Sequence, residues 1–168
     1  MRTHFLIAAL LCSTPSFARD RQNGLDPVER PGRWALGFML GDPFGLTLKR
    51  YLGRNAFDLY VAFAYGPGLR FGGDWLWNLG RLEQHRKFDL DVYAGVGPFV
   101  GTFQGPCGGF FNRCNGEAYI GGRVPIGIEL LLKEAPLTFG LEVAPGLGIA
   151  SGGPGLLVDF DFVVRLLL

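Results

Sequence analysis

The chain has 168 residues, of which 48% are hydrophobic, 18% are charged and 27 are glycine, and its formal net charge is +1. This balance argues against a nucleic-acid-binding protein, because such proteins concentrate basic residues on one surface. After the first residues no uninterrupted apolar run is long enough for a transmembrane helix. The length fits one domain.

Residues 1–18 have the pattern of a secretory signal peptide. A short basic start with Arg2 precedes an apolar core over residues 5–12, and a small-x-small cleavage site ends at Ala18. We expect cleavage after this site. Residues 19–32 are polar and contain two prolines, which predicts a flexible lead-in.

From Arg33 to Leu168, strand-like segments follow one another, separated by glycine, proline, asparagine and aspartate. No segment keeps an apolar period of 3.6 residues, so long helices are not expected. Eight strands are predicted, over residues 33–40, 44–51, 56–65, 69–77, 88–102, 117–132, 136–149 and 156–168. A charged connection covers 78–87, and the longest loop covers 103–115. Most predicted strands are long enough for tilted membrane spans of about 9–11 residues.

The final strand has the pattern that recurs in nearly all the others. Its apolar positions are Val158, Phe160, Phe162, Val164, Leu166 and Leu168, and Asp159, Asp161 and Arg165 lie between them. Successive side chains of a strand point to opposite faces, so one face is apolar and the other is charged. Such a strand needs partners on both edges and a different solvent on each face. A closed barrel in a membrane supplies both.

Alternation alone fits a membrane barrel with its apolar face outward and a soluble barrel with that face inward. After residue 18 the chain has one serine, Ser151, and its lysines are Lys49, Lys87 and Lys133. A water-facing surface is normally richer in both residue types. We therefore expect the polar face inside, where glycine leaves room for larger neighbours. The alternative is a soluble periplasmic or secreted lipocalin-like barrel that binds an apolar ligand.

The expected interior charges comprise more acids than bases. The acids are Asp58, Asp74, Asp89, Asp91, Glu129, Glu142, Asp159 and Asp161, and the bases are Lys49, Arg70, Arg123 and Arg165. An isolated buried charge costs several kcal/mol, so we expect these residues to pair. Paired carboxylates could also form an acid–base site. We interpret them as a structural ion-pair network that plugs the interior.

The signal peptide, the two-residue repeat of the strands and the final strand ending at Leu168 resemble the small eight-stranded outer-membrane barrels, of the OmpA-transmembrane-domain and OmpX type. The resemblance covers Arg33 to Leu168. It implies an all-β, antiparallel, up-and-down transmembrane β-barrel in the outer membrane, surrounded by lipid, whose final strand is read by the barrel-assembly machinery. Leu168 departs from the usual terminal phenylalanine. Pro125 lies inside the sixth strand, where we expect a β-bulge.

Two cysteines, Cys107 and Cys114, lie in the loop over residues 103–115. In an oxidising compartment, two nearby cysteines are expected to form a disulfide. A metal site would need two further ligands, and no histidine lies near, so none is expected. Phe110 and Phe111 lie between the cysteines and could contact an extracellular partner or lipid headgroups, or fold into the mouth of the barrel.

Ser151 and His85 are the candidates for a nucleophile and its base. The predicted strand order puts them at opposite ends of the barrel, roughly a membrane thickness apart. Two Gly-x-Gly segments, 95–97 and 146–148, do not complete a nucleotide-binding motif. We therefore expect no enzyme activity and no cofactor, and a structural or surface-interaction role.

Overall fold

A computed structural model describes residues 30–64, 68–103 and 117–168. The expected signal peptide, residues 19–29 of the expected lead-in and the expected Cys107–Cys114 disulfide lie outside the described residues. The first strand begins at Arg30, so the end of the segment expected as a lead-in is strand.

The described residues form nine strands. They are β1 Arg30–Asp42, β2 Phe44–Gly53, β3 Asn55–Ala64, β4 Gly68–Gln84, β5 Phe88–Thr102, β6 Ala118–Arg123, β7 Ile126–Leu132, β8 Leu137–Ala150 and β9 Gly153–Leu167. Every strand is antiparallel to the strands it pairs with. Among these residues, no helix has the length and hydropathy to cross a membrane.

The sheet closes on itself. Apart from β6 and β7, strands that follow one another along the chain are neighbours, and β1 pairs with β9. The amide of Leu168 continues this closure by donating to the carbonyl of Trp34 at 2.8 Å. β6 and β7 lie end to end between β5 and β8 and together occupy the position of one strand. The ring is therefore eight strands around. The all-β, antiparallel prediction is confirmed.

The segment expected as a charged connection, 78–87, is mostly strand. β4 runs to Gln84, because its last residues keep pairing with β5 across two register shifts. Only residues 85–87 remain as a turn. The prediction missed this extension because the segment carries several charges.

The β-bulge expected at Pro125 is wrong. β5 pairs with Arg123 through Gly97 and with Ile126 through Ala94, so the register is the same on both sides of the proline. The carbonyl of Pro125 accepts a hydrogen bond from the amide of Gly95 at 2.8 Å. The missing amide hydrogen therefore costs one ladder hydrogen bond and interrupts the strand, but no residue is inserted.

Side chains alternate between the inside and the outside of the ring, as the sequence predicts, except at the two register shifts near the end of β4. In β9, Asp159 and Val163 are buried, whereas Phe160 is 61% exposed and Leu166 is 46% exposed. The pattern extends around the ring, because every strand with described side chains carries large apolar residues that are exposed. The buried face includes most of the charged residues of the strands.

Aromatic side chains inside the ring lie against glycines on the neighbouring strand. The directly opposed pairs are Tyr60–Gly72, Tyr93–Gly127, Phe99–Gly121 and Tyr119–Gly101. In each pair, a Cβ on the glycine would come within 2.6 Å of the aromatic ring. These glycines therefore leave the space that the rings occupy, which is the use expected for glycine in a narrow interior.

Gly121→Ala is expected to destabilise the fold by about 1–3 kcal/mol, the usual range for overpacking. Its Cβ would lie 2.2 Å from the Leu147 carbonyl oxygen and 2.3 Å from the Phe99 ring. The matched control is Gly140→Ala, because the nearest atom to a Cβ there is 3.5 Å away. Urea unfolding of both variants checks this, and equal stabilities would contradict the packing described for Phe99.

Candidate functional site

All the charged residues predicted to face inward do so. All of them are buried except Asp89, which is half-buried at the end of the ring near residues 85–87. The buried residues are Lys49, Asp58, Arg70, Asp74, Asp91, Arg123, Glu129, Glu142, Asp159, Asp161 and Arg165. Their contacts divide them into three groups, named here after the central arginine of each.

The Arg123 cluster consists of Arg70, Asp74, Arg123, Glu142, Asp159 and Asp161. The Arg123 guanidinium donates hydrogen bonds to Asp74 at 2.5 Å and to Asp159 at 3.2 Å. Arg70 donates to the same Asp159 carboxylate at 2.7 Å. Arg123 also lies 4.2 Å from the centre of the Tyr60 ring. One guanidinium thus joins carboxylates from β4 and β9.

The acid excess of the interior is concentrated in this cluster. Two arginines face four carboxylates, and Glu142 and Asp161 lie directly opposite each other on β8 and β9. Neither carboxylate oxygen of Asp161 accepts a hydrogen bond from the described residues. Its distance to the nearest Arg123 nitrogen is 3.9 Å. Asp161 is therefore the weakest-compensated acid of the cluster.

Asp161→Asn is expected to stabilise the protein by about 1–2 kcal/mol, because it removes a buried charge that accepts no hydrogen bond. Asp159→Asn, on the same strand, is expected to cost about 1.5–3 kcal/mol, because Asp159 accepts from two arginines. The two variants are isosteric and equally buried, so each controls for the other. Urea unfolding measures the difference, and a larger loss at Asp161 would contradict the assigned charge balance.

The Arg165 cluster is balanced, with two bases and two acids. Arg165 is hydrogen-bonded to Asp58, and its guanidinium lies 3.5 Å from Glu129. Lys49 donates to both oxygens of Glu129 at 3.0 Å, and the Tyr51 hydroxyl donates to the same carboxylate at 2.8 Å. The side chains come from β2 and β9, which are the two neighbours of β1, from β3 next to β2, and from β7 across the interior.

The Arg81 cluster lies at the end of the ring near the turn over 85–87, and its central residue was missed by the sequence reasoning. Arg81 lies 3.4 Å from Asp89 and 3.2 Å from Asp91, and Lys133 lies 2.9 Å from Asp89. The sequence places Arg81 in a charged connection and not among the interior bases. The outward Leu79 continues the alternation of Trp75 and Trp77 and indicates that β4 extends past Trp77, but alternation alone would place Arg81 outward. The register shift between Asn78 and Gly80 turns Arg81 inward.

The interior is filled by these side chains. A cavity beside Lys49, Tyr51 and Glu129 has a volume of about 20 Å³, which is room for about one water molecule. Within the described ranges, no group of histidine, cysteine, aspartate and glutamate side chains could hold a metal ion. The arrangement can therefore compensate buried charge and brace opposite strands, but it leaves little space for a substrate.

The two residues considered as a nucleophile and a base do not come together. Ser151 lies in the turn between β8 and β9, and its hydroxyl donates to Glu117 at 2.6 Å. His85 lies in the turn between β4 and β5, at the opposite end of the ring, and its Nδ1 accepts from the amide of Lys87.

The outward surface has the opposite character to the interior. Leu147, Ile149, Leu156 and Phe160 are each at least 60% exposed. Scattered exposed apolar residues are normal, but an apolar surface over every strand is far larger than the patches that soluble monomers carry.

Neither a protein-family model, nor a curated protein, nor a solved structure matches this chain.

Proposed function

We propose that the protein is an eight-stranded, up-and-down transmembrane β-barrel of the outer membrane, with a plugged polar interior and a non-enzymatic role in structure or surface interaction. The observation that carries this proposal is the inverted polarity of the ring. Charged side chains such as Arg70 and Asp159 are fully buried, whereas Phe160 and Leu156 are largely exposed.

In water this arrangement would be unfavourable on both faces. Each Å² of apolar surface that stays in contact with water forgoes about 25 cal/mol of stabilisation. Burying a charge also removes its hydration, which costs free energy. In hydrocarbon the outward face is favourable, and a closed ring leaves no strand edge with unsatisfied backbone groups. The apolar outward face and the closed ring of strands therefore both support a membrane environment.

The pairing registers also fit a membrane-spanning cylinder. One circuit of the ring can be traced by stepping from a residue of β1 to its directly opposed partner on each next strand. The circuit returns to β1 about ten residues beyond the starting residue. For eight strands this stagger corresponds to a tilt of about 40°. A ten-residue strand tilted in this way spans about 25 Å, the height of the apolar band of outer-membrane barrels.

The filled interior supports a structural role over a pore. Arginine-centred clusters cross the ring at several levels, and the cavity of about 20 Å³ is too small for a solute path. Any extracellular partner would then be met by the loops, above all by the loop over residues 103–115. The closing strand β9 is the segment that we expect the barrel-assembly machinery to recognise.

The interior argues against the alternative of a soluble lipocalin-like barrel. Such a barrel would hold an apolar ligand inside, so its inward residues would be mainly apolar. Here Lys49, Glu129 and Arg165 meet inside the ring. The interior cavity beside Lys49, Tyr51 and Glu129 is lined by charged side chains and, at about 20 Å³, is too small for such a ligand.

Cell fractionation of the expressed full-length chain, with purification of the processed protein, tests the proposal. The protein is expected in the outer-membrane fraction, to need detergent for extraction, and to migrate differently on gels before and after heating. A processed protein that stays soluble without detergent in the periplasmic fraction would contradict the proposal. Planar bilayers should show little conductance, since the interior is filled.

A further inference from the structure

One charged side chain interrupts the apolar outward surface. Arg50 points outward from β2, three residues before the end of that strand, and is exposed. Other charged residues exposed on the strands lie in the irregular start of β1, as Arg33 does, or within two residues of a strand end, as Asp42 and Glu83 do. No carboxylate of the described residues forms an ion pair with Arg50.

Arg50 belongs to a row of aromatic side chains. The row runs across four neighbouring strands through the directly opposed residues Trp34, Arg50, Phe57 and Trp75. The guanidinium lies 5.0 Å from the centre of the Trp34 ring. Trp77 lies two residues from Trp75 on the same face, so all three tryptophans of the chain lie in or beside the row.

This end of the ring is also rich in bases. Arg33, Arg54, Arg86 and Lys87 are exposed there, beside or in the turns at the start of β1, between β2 and β3, and between β4 and β5. The acids exposed in the same part are Glu83 and Glu134. The described residues at the opposite end include the acids Asp42 and Glu117 and no exposed base. The charge of the Arg50 end therefore complements an anionic surface.

An arginine on a lipid-facing surface needs an anion at the polar boundary of the membrane. The guanidinium fork matches a phosphate group, and it can stack on an aromatic ring while it does so. Tryptophan rings prefer the same depth in the membrane, at the level of the headgroups. The combination of Arg50 with Trp34 therefore has the chemistry of a phosphate contact at that depth.

We propose that Arg50 and Trp34 form a binding site for the headgroup phosphate of an anionic phospholipid, in the leaflet that meets the start of β1 and the end of β2. This inference rests on the proposed insertion of the ring into a membrane. The Arg50 guanidinium holds the phosphate, and the flanking rings of Trp34 and Phe57 contact the glycerol and upper acyl region. The site thereby selects lipids and fixes the depth of this end of the ring.

The three tryptophans serve as a local reporter. The refolded protein is inserted into phosphatidylcholine vesicles that contain a minor share of brominated phosphatidylglycerol or, separately, the same share of brominated phosphatidylcholine. Tryptophan quenching by the anionic lipid is expected to exceed quenching by the zwitterionic lipid, with a relative affinity of about fivefold for one arginine near an anionic surface. Arg50→Gln is expected to reduce this preference to near unity.

Arg86→Gln is the matched control, since it removes the same charge from an exposed turn at the same end but outside the row. It should leave most of the preference intact. An equal preference in the wild type and in Arg50→Gln, or an equal loss in both variants, would overturn the site. Displacement of the anionic lipid by excess inorganic phosphate would overturn the assignment to a lipid headgroup.

The experiment also separates this inference from the proposed function. Quenching by brominated phosphatidylcholine shows insertion without any contribution from headgroup charge. If neither lipid quenches the tryptophans, both the membrane proposal and the lipid site fail. If both lipids quench equally in the wild type, insertion stands and only the phosphate site is overturned.

Discussion

Leu141→Arg is expected to destabilise the membrane-inserted protein by about 2–4 kcal/mol, the cost of an arginine on the lipid face near the middle of a bilayer. Leu141 is 56% exposed on the outward face of β8 and lies directly between Ile128 and Phe162 of the neighbouring strands. In water the same change at an exposed site would alter stability by about 0.5 kcal/mol or less. Urea unfolding from lipid vesicles measures the difference.

Leu82→Arg is the control for this prediction. Leu82 is 49% exposed, similar to Leu141, but it lies two residues from the end of β4. Near the membrane boundary the same substitution should cost about 0–1 kcal/mol. A near-neutral result at both positions would mean that the outward face meets water, which would contradict the membrane proposal.

Arg123→Met is expected to cost about 3–5 kcal/mol, because it leaves buried carboxylates without their cation. Arg123 is 2% exposed and contacts Asp74 and Asp159 at 2.5 Å and 3.2 Å. Methionine has a similar length, so the loss reports on charge more than on volume. Urea unfolding of the inserted protein again provides the measurement.

Lys133→Met provides the comparison at the rim of the ring. The Lys133 side chain is 37% exposed and pairs with the half-buried Asp89 at 2.9 Å, so its loss should cost about 0–1 kcal/mol. If Arg123→Met does not fold, adding Asp74→Asn to it should restore folding in part, because one uncompensated charge is removed. Equal effects at Lys133 and Arg123 would contradict a central role for the Arg123 cluster.

The sequence predicted the strands and their two faces well, for a physical reason. Period-two alternation is a local property, and it is readable wherever a strand separates two solvents, as in β9. The scarcity of serine and lysine then indicated which face lies inside. The inward positions of Asp58, Arg123 and Asp161 follow from this phase alone.

The contacts within the interior could not be predicted in the same way. Arg70 meets Asp159, which is 89 residues away along the chain, because the stagger of the closed ring brings β4 and β9 to one level. That stagger depends on the register of every strand pair, and turn chemistry does not specify it fully. Arg81 could not be predicted for two reasons, because its charge is typical of a turn and because the register shift between Asn78 and Gly80 turns it inward. Pro125 interrupts its strand without the shift that a bulge would cause.

The central claim, that the outward face of the ring meets lipid, is tested most directly by spin labels on β8. Single cysteines replace Leu141 and Val143, and Ser151 in the exposed turn serves as the reference, with Cys107 and Cys114 changed to serine. Labels at Leu141 and Val143 are expected to collide with dissolved oxygen and to be shielded from a water-soluble nickel chelate. Access of the chelate to both positions as free as at Ser151 would contradict the membrane assignment.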